Sequence, residues 1–406
     1  MTVSRQRLPL VGLALLVVLV GALLASTLDD VGARGPDEAH YRTYMSLVDQ
    51  QGAAAYASFF SDYVDNPERW LFPNPLRLAY ITLIGAAAKV FRPSFETLSW
   101  ISLGAHLLCI IVGYAFARRT LGNPRALLIA TLIAFSPLWM ALARRGLGDT
   151  LSTLAAILSI WTFWEALFDR EGWRWHALFA TSFAFGMLVK ETAVLLAIPF
   201  AAVLVYEGIA RGRRELLLPM TLALGAPVVF CVALWWIAAG SLDQLFRLVG
   251  IILESPARNE YAIQFGGGPW TRYLLDFLLL SPLPTLLAIA AAGVLVVRGR
   301  GADPVVAYLL AISACVLVSY EAFTKNVRYV AVLEFPIRVL AIWLVWEVLQ
   351  RRGARVALLG SATLVALMAW ADYASFTAIF VEGGLYEAMT APLLEFRGLL
   401  APGVAR

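Results

Sequence analysis

The segment LPLVGLALLVVLVGALLASTL, residues 8 to 28, decides the fold class. It stays apolar for about 20 residues, enough for a helix to cross about 30 Å of hydrocarbon. The preceding MTVSRQR could open a signal peptide, but a run of this length reads as an uncleaved anchor. Further apolar runs follow at roughly 76–91, 97–117, 125–142, 149–168, 174–189, 192–210, 216–239, 273–297, 304–320, 330–349 and 356–380. About twelve helical segments result. The expected architecture is an all-α, polytopic transmembrane helical bundle of about 11–13 helices, forming a single integral membrane domain over 1–406. Only two connections are long, 29–75 and 240–272, and a tail follows at 381–406.

Composition excludes the alternatives. In a chain of 406 residues, 60% are hydrophobic and only 15% charged, and a soluble protein of that make-up would expose more apolar surface than water tolerates. A lipid bilayer is therefore an expected partner and nucleic acid is not. The 13 Trp, 14 Tyr and 22 Phe supply lipid-facing bulk and interfacial girdles. Cys109, Cys231 and Cys315 fall in separate apolar runs and read as small buried thiols, so neither a disulfide framework nor a metal site is expected.

Orientation follows from basic residues in short loops. RGRRE (211–215), RGRG (298–301) and QRRGAR (350–355), with Arg5 and Arg7, are assigned to the cytoplasm. Both long connections and the tail from Val381 then face outside. Twelve full crossings would return the tail to the cytoplasm, so one run between 76 and 148 is expected not to cross fully. Lys89/Arg92 and Arg118/Arg119/Arg125 both want the cytoplasmic side, which leaves that run unidentified.

Both outer connections carry helical periodicity. Tyr41, Tyr44, Met45 and Val48 recur at i, i+3, i+4 and i+7, as do Tyr56, Phe59, Phe60 and Tyr63. Leu242, Leu245, Phe246, Val249 and Leu253 do the same in the second. Amphipathic interfacial helices roofing the bundle are expected there. Polar residues also gather outside: Asp37 and Glu38; Arg144, Arg145 and Asp149; Lys190 and Glu191; Lys325, Arg328 and Tyr329. Helices 149–168 and 174–189 form a hairpin through DREGWRW, which returns Asp149 and Lys190 to one membrane face. Ionisable groups at membrane depth are costly enough to suggest function.

The order of PDEAHY (36–41), FPNPLRLAY (72–80), RRGLGDTL (144–151), LVKETAVLLAIP (188–199) and RYVAVLEFPIRVL (328–340) resembles the GT-C glycosyltransferases. The nearest branch is that of protein O-mannosyltransferases and lipid A aminoarabinose transferases, and the similarity runs over about residues 8–345. Two departures stand out. Asn74-Pro75 replaces a frequent double proline, and no soluble C-terminal domain follows the last helix, so the acceptor does not carry over. The resemblance implies transfer of one sugar from a polyprenyl phosphate to a glycan, lipid or protein acceptor on the non-cytoplasmic side. It places an acid of the first outer loop, matched by Asp37, near the reacting carbon.

A hydroxyl nucleophile needs a base, and Asp37 is the expected one, with Glu38 about 100° away around a helix as the weaker candidate. Negative charge on the departing phosphate calls for preorganised cations, for which Lys190 and Arg328 come first and Arg144 and Arg145 next. Asp149, His40, Tyr41, Glu191 and Tyr329 are expected to orient or bind substrate, and His106 reads as a core histidine. No cofactor or metal is expected, since PDEAH lacks the spaced acidic pair of metal-using oligosaccharyltransferases. The rival reading is a secondary transporter or flippase for a lipid-linked or anionic substrate, which should show repeated halves and broken helices near the midplane.

Overall fold

The computed structural model describes every residue except 1, 30, 32–33, 169–171, 259–262, 264–265, 300–302, 322 and 401–406. The expectations placed on Arg5 and Arg7, on part of the 169–175 turn and on residues 300–301 lie outside the described residues and side chains. The regular structure of the described residues is all helical and contains no strand. In order the α-helices are α1 (Thr2–Ala25), α2 (Pro36–Gln51), α3 (Ala54–Asp65), α4 (Leu78–Ala88), α5 (Phe95–Thr120) and α6 (Asn123–Ala134). Next come α7 (Pro137–Ala143), α8 (Asp149–Phe168), α9 (Trp173–Val189), α10 (Ala197–Val205), α11 (Leu217–Ala239) and α12 (Leu242–Arg258). The last six are α13 (Thr271–Leu280), α14 (Pro282–Arg298), α15 (Pro304–Ser319), α16 (Glu334–Leu349), α17 (Ala354–Phe376) and α18 (Thr390–Phe396). Among the described residues, six continuous helical segments are long and apolar enough to cross a membrane, and the bent pair α6–α7 makes a seventh. The chain is an integral membrane protein.

Ion pairs and hydrogen bonds sort the helix ends onto two faces. On one, Arg119 pairs with Glu165 at 2.6 Å, Arg213 with Glu207 at 3.2 Å, and Arg298 with Glu347 at 3.1 Å. On the other, Arg144 binds the Thr27 and Phe380 carbonyls, Arg77 binds Glu191, and Arg328 binds Asp37. This second face carries the candidate site.

The same contacts identify the run that does not cross. Helix α4 is 11 residues long, about 16 Å against about 30 Å of hydrocarbon. It leaves the site face at Arg77, yet α5 begins again at that face, where the Ser99 hydroxyl donates to the Arg144 carbonyl at 2.9 Å. Between these points α4 packs under α2 and α3: Tyr80 meets Tyr41 edge to face, and Tyr56 and Thr82 hydroxyls bond at 2.7 Å. Gly85 permits this close approach, since a Cβ there would lie 2.3 Å from Val48. Lys89 and Arg92 therefore belong to the site face. This corrects the loop-charge reading, which drew them to the cytoplasm with Arg118, Arg119 and Arg125. Among the described residues, the segment that follows α17 also lies on the site face, where Phe380 and Glu387 meet Arg144 and Arg328.

A cysteine at Arg92 in a Cys-free background should accordingly react with an impermeant thiol reagent alongside one at Gly52. A cysteine at Gly353 should be shielded whenever these are open. Shielding of position 92 together with 353 would mean that α4 crosses after all.

The expected amphipathic faces divide in two. Tyr41, Tyr44, Met45 and Val48 of α2, and Phe59, Phe60 and Tyr63 of α3, are buried against the bundle. On α12, Leu245 packs inward while Leu242, Phe246, Val249 and Leu253 remain exposed as a stripe, the pattern of a helix lying in the interface. Cys109 and Cys231 are buried free thiols and Cys315 is half-buried.

One span is broken. Helices α6 and α7 meet at 58° around Phe135–Ser136, where Pro137 prevents continuation. The freed carbonyls find protein partners: Leu132 accepts from Arg338 Nε at 2.9 Å, and Ala134 bonds His106 Nε2 at 3.2 Å. Arg338, fully buried, also pairs with Glu334 at 2.8 Å and Asp372 at 3.1 Å. One guanidinium thus ties α16 to α17 and to the α6 break. Replacing it by Leu strands two carboxylates in the bundle, so Arg338→Leu should cost about 3–5 kcal/mol. The check is thermal unfolding in detergent, where the variant should lose most of its folded fraction.

Candidate active site

The site begins at the N-terminus of α2. Gly35 lies extended before the helix, Pro36 occupies the first turn, and Glu38 reaches back to accept from the Gly35 amide at 3.0 Å. That single side-chain cap fixes the entry of the chain into the helix. Glu38 is fully buried and also accepts from Arg34 (3.0 Å), Arg145 (3.4 Å) and the Gly146 amide (2.7 Å). Its oxygens are committed to joining α2 to the 144–146 turn.

Asp37, one residue earlier, points elsewhere. Its Oδ2 accepts from Arg328 Nη2 at 3.2 Å, and the same nitrogen lies 3.2 Å from Glu387 Oε1. Arg328 is held in register by Asn326, whose side chain caps the Val327–Leu333 turn by accepting the Arg328 amide at 3.1 Å. Asn326 Nδ2 also donates to Glu387 at 3.3 Å.

Two small hollows open on either side of Arg328. One is lined by Asp149, Lys190, Thr192, Tyr320 and Tyr329. There Lys190 Nζ lies 2.5 Å from Asp149 and 4.6 Å from the centre of the Tyr329 ring. The other is lined by Arg144, Arg145, Asn326, Tyr386 and Glu387 over apolar walls from Leu138, Leu142 and Phe380. Arg145 stacks on Tyr386 at 4.6 Å. Arg144 is spent differently: its guanidinium donates to Thr27 and Phe380 carbonyls, which makes it a clasp between α1, α7 and the end of α17 rather than a free anion binder.

Of the other sequence candidates, Tyr41 and Glu191 meet at Arg77. That guanidinium forks Glu191 at 2.9 and 3.1 Å and bonds the Tyr41 hydroxyl. His40 stacks on Phe72 at 5.2 Å and lies against Tyr44, with Nε2 buried and unbonded. Burial, with Arg69 adding to it, pushes His40 down to about 4, so it is neutral near pH 7. It shapes the wall rather than supplying charge. Lys325 donates to carbonyls of its own turn, including Phe323 at 2.9 Å.

Arg77, Asn326, Tyr386 and Glu387 were not anticipated as site residues. Arg77 carried a signal, a charge set at the lip of an apolar run within FPNPLRLAY. Glu387 carried none, because only the return of the tail over Arg328 brings it in.

The comparisons with known proteins bear on the membrane bundle that carries these side chains. Residues 74–236 match the model of the dolichyl-phosphate-mannose-protein mannosyltransferase family, a stretch that holds Arg77, Asp149 and Lys190 but neither Asp37 nor Arg328. Two solved structures superpose over nearly the whole chain. ArnT from Cupriavidus metallidurans bound to undecaprenyl phosphate is 15% identical, with a TM-score of 0.55 over 95% of this chain and 77% of its own. The apo oligosaccharyltransferase of Archaeoglobus fulgidus is also 15% identical, with a TM-score of 0.60 over 93% of this chain. The fold is that of the GT-C glycosyltransferases. No curated protein matches the chain in sequence. The chain spans only 56% of the length of the archaeal enzyme, so similarity to it speaks for the shared membrane bundle.

Proposed function

We propose that the protein transfers a single sugar from a polyprenyl-phosphate donor to an acceptor hydroxyl or phosphate on the non-cytoplasmic side of the cell membrane. The observation that carries this reading is the meeting, at 3.2 Å, of Asp37 with Arg328, the guanidinium that lines two hollows at one membrane face. The structural neighbours support the donor class: one was solved with undecaprenyl phosphate and another, AglB from Archaeoglobus fulgidus, with dolichol-phosphate. Sidedness rests on charge. Arg118, Arg119, Arg125, Arg211, Arg213, Arg298, Arg351 and Arg352 cluster on the face opposite the site, as the positive-inside rule asks of the cytoplasmic one.

The donor phosphate is assigned to the hollow between Lys190 and Arg328. Asp37 accepts the proton of the acceptor as its oxygen bonds to the anomeric carbon. The bond from that carbon to the phosphate oxygen breaks, and the polyprenyl phosphate leaves with the electron pair. Arg328 holds the Asp37 carboxylate at 3.2 Å, and a turn of the guanidinium toward the phosphate releases Asp37 to act as base. Arg328 and Lys190 stabilise the leaving charge in a site walled by protein, where fixed cations outperform water. No metal is invoked. Asp149 holds Lys190 in place, and Tyr329 flanks both cations.

The broken span at Phe135–Ser136 is a feature that the transporter or flippase reading also calls for. Its freed carbonyls are occupied by Arg338 and His106, so the break lines no ion path. The deciding experiment gives purified protein in vesicles a synthetic polyprenyl-phosphate hexose or pentose together with envelope extract as acceptor. Sugar transfer with release of polyprenyl phosphate is expected. Movement of the intact donor across the vesicle without cleavage would establish the rival.

A further inference from the structure

The segment after the last crossing is fastened at both ends and stretched over the site. At its start, the Gly383 amide bonds the Ala378 carbonyl at 2.9 Å and Gly384 takes a positive φ of 61°. At its far end, Arg272 Nε donates to the Thr390 hydroxyl at 2.5 Å, which donates to Asp276 at 2.6 Å, while Arg397 donates to the Leu279 carbonyl. Between these anchors the chain is non-helical and drops two side chains into the hollow beside Arg328. Tyr386 covers Arg145 and presses on Gly35 so closely that a Cβ there would lie 1.9 Å from its ring. Glu387 reaches Arg328 and Asn326.

Arg328, the cation common to both hollows, is therefore engaged from the Arg145 side by a carboxylate of the chain itself. Glu387 supplies two oxygens to a guanidinium and an amide, the partners that the two free oxygens of the donor's phosphodiester would use. Arg328 Nε remains buried without a hydrogen-bond partner, so the pocket offers one more donor than the carboxylate uses. We propose that residues 383–389 form an autoinhibitory strap in which Glu387 stands in for the donor phosphate, and that the lipid phosphate must displace it from Arg328. This rests on the transferase reading of the site. Displacement frees Glu387 and lifts Tyr386 from Arg145, which opens the second hollow as donor binds. Acceptor access is thereby tied to donor occupancy.

A ligand that must first expel an internal competitor binds more weakly by the fraction of molecules in the open state. Glu387→Gln keeps the shape and removes the charge, so it should bind sugar-free polyprenyl phosphate about tenfold more tightly than the parent. In the parent, amide hydrogen exchange over 384–389 should quicken when polyprenyl phosphate is added. This second measurement needs no variant. Unchanged or weaker binding by Glu387→Gln overturns the strap, as does slower exchange over 384–389 on addition of the lipid, which would mark a clamp that closes over ligand. Parent binding without either effect leaves the donor reading standing and removes the strap alone. Failure of both parent and variant to bind the lipid removes the two together.

Discussion

Asp37→Asn is expected to reduce sugar transfer by about 10²-fold or more while leaving donor binding largely intact. The amide oxygen of Asn can still accept from Arg328, so the shape of the site and the position of the guanidinium persist. What is lost is the ability to take a proton in the transition state. The comparison with Glu38→Gln makes the test specific. Glu38 is saturated by Arg34, Arg145, Gly35 and Gly146, so its variant should lower folded yield through two cations left without their carboxylate. The surviving folded fraction should retain turnover far better than Asp37→Asn. Near parental transfer by the Asn variant would move the base to another carboxylate, of which Asp149 is the nearest to the cations.

The second large effect belongs to the cations. Arg328→Lys keeps the charge but loses the planar fork that meets two oxygens with parallel N–H groups, so transfer should fall about 10-fold or more. Lys190→Gln removes a point charge felt in both ground and transition states, and should weaken donor binding as well as rate. Its change also strands Asp149, which lies 2.5 Å away and is buried. The double variant Lys190→Gln with Asp149→Asn separates that structural cost from the loss of phosphate binding. The double variant should recover folded yield without recovering affinity. The readouts are transfer from a synthetic donor and direct binding of the sugar-free lipid phosphate. Parental behaviour in both cations' variants would relocate the phosphate to the Arg145 hollow.

Much of the bundle was legible because a bilayer imposes one simple rule: a run of apolar residues long enough must be helical and must cross. That rule placed α5, α8, α9, α11 and α17 within a few residues of their observed ends. It failed to decide for α4, whose run of apolar residues is real but too short. Lys89 and Arg92 then biased the orientation, because loop charge reports sidedness only for loops that separate true crossings. The periodicity of α2 and α3 was readable, yet whether those faces met lipid or protein depended on α4 lying beneath them. Asp37, Lys190 and Arg328 could be grouped because each stands at the end of an apolar run. Their pairings could not be read: Lys190 with Asp149 follows from the α8–α9 hairpin, but Arg328 with Asp37 joins residues from nearly opposite ends of the chain. Arg144 shows the converse, since a cation at membrane depth can serve main-chain carbonyls, here those of Thr27 and Phe380. Glu387 enters only through the tail's path.

The central claim is that Lys190 and Arg328 hold the donor's phosphate while Asp37 faces the carbon that is transferred. An experimental structure with a non-hydrolysable polyprenyl-phosphate sugar bound tests it most directly. The account predicts phosphate density within hydrogen-bonding reach of both Lys190 and Arg328, with the Asp37 carboxylate about 3–3.5 Å from where an acceptor oxygen would meet the anomeric carbon. Density for the phosphate on the opposite face, or in the site but out of reach of both cations, would contradict it.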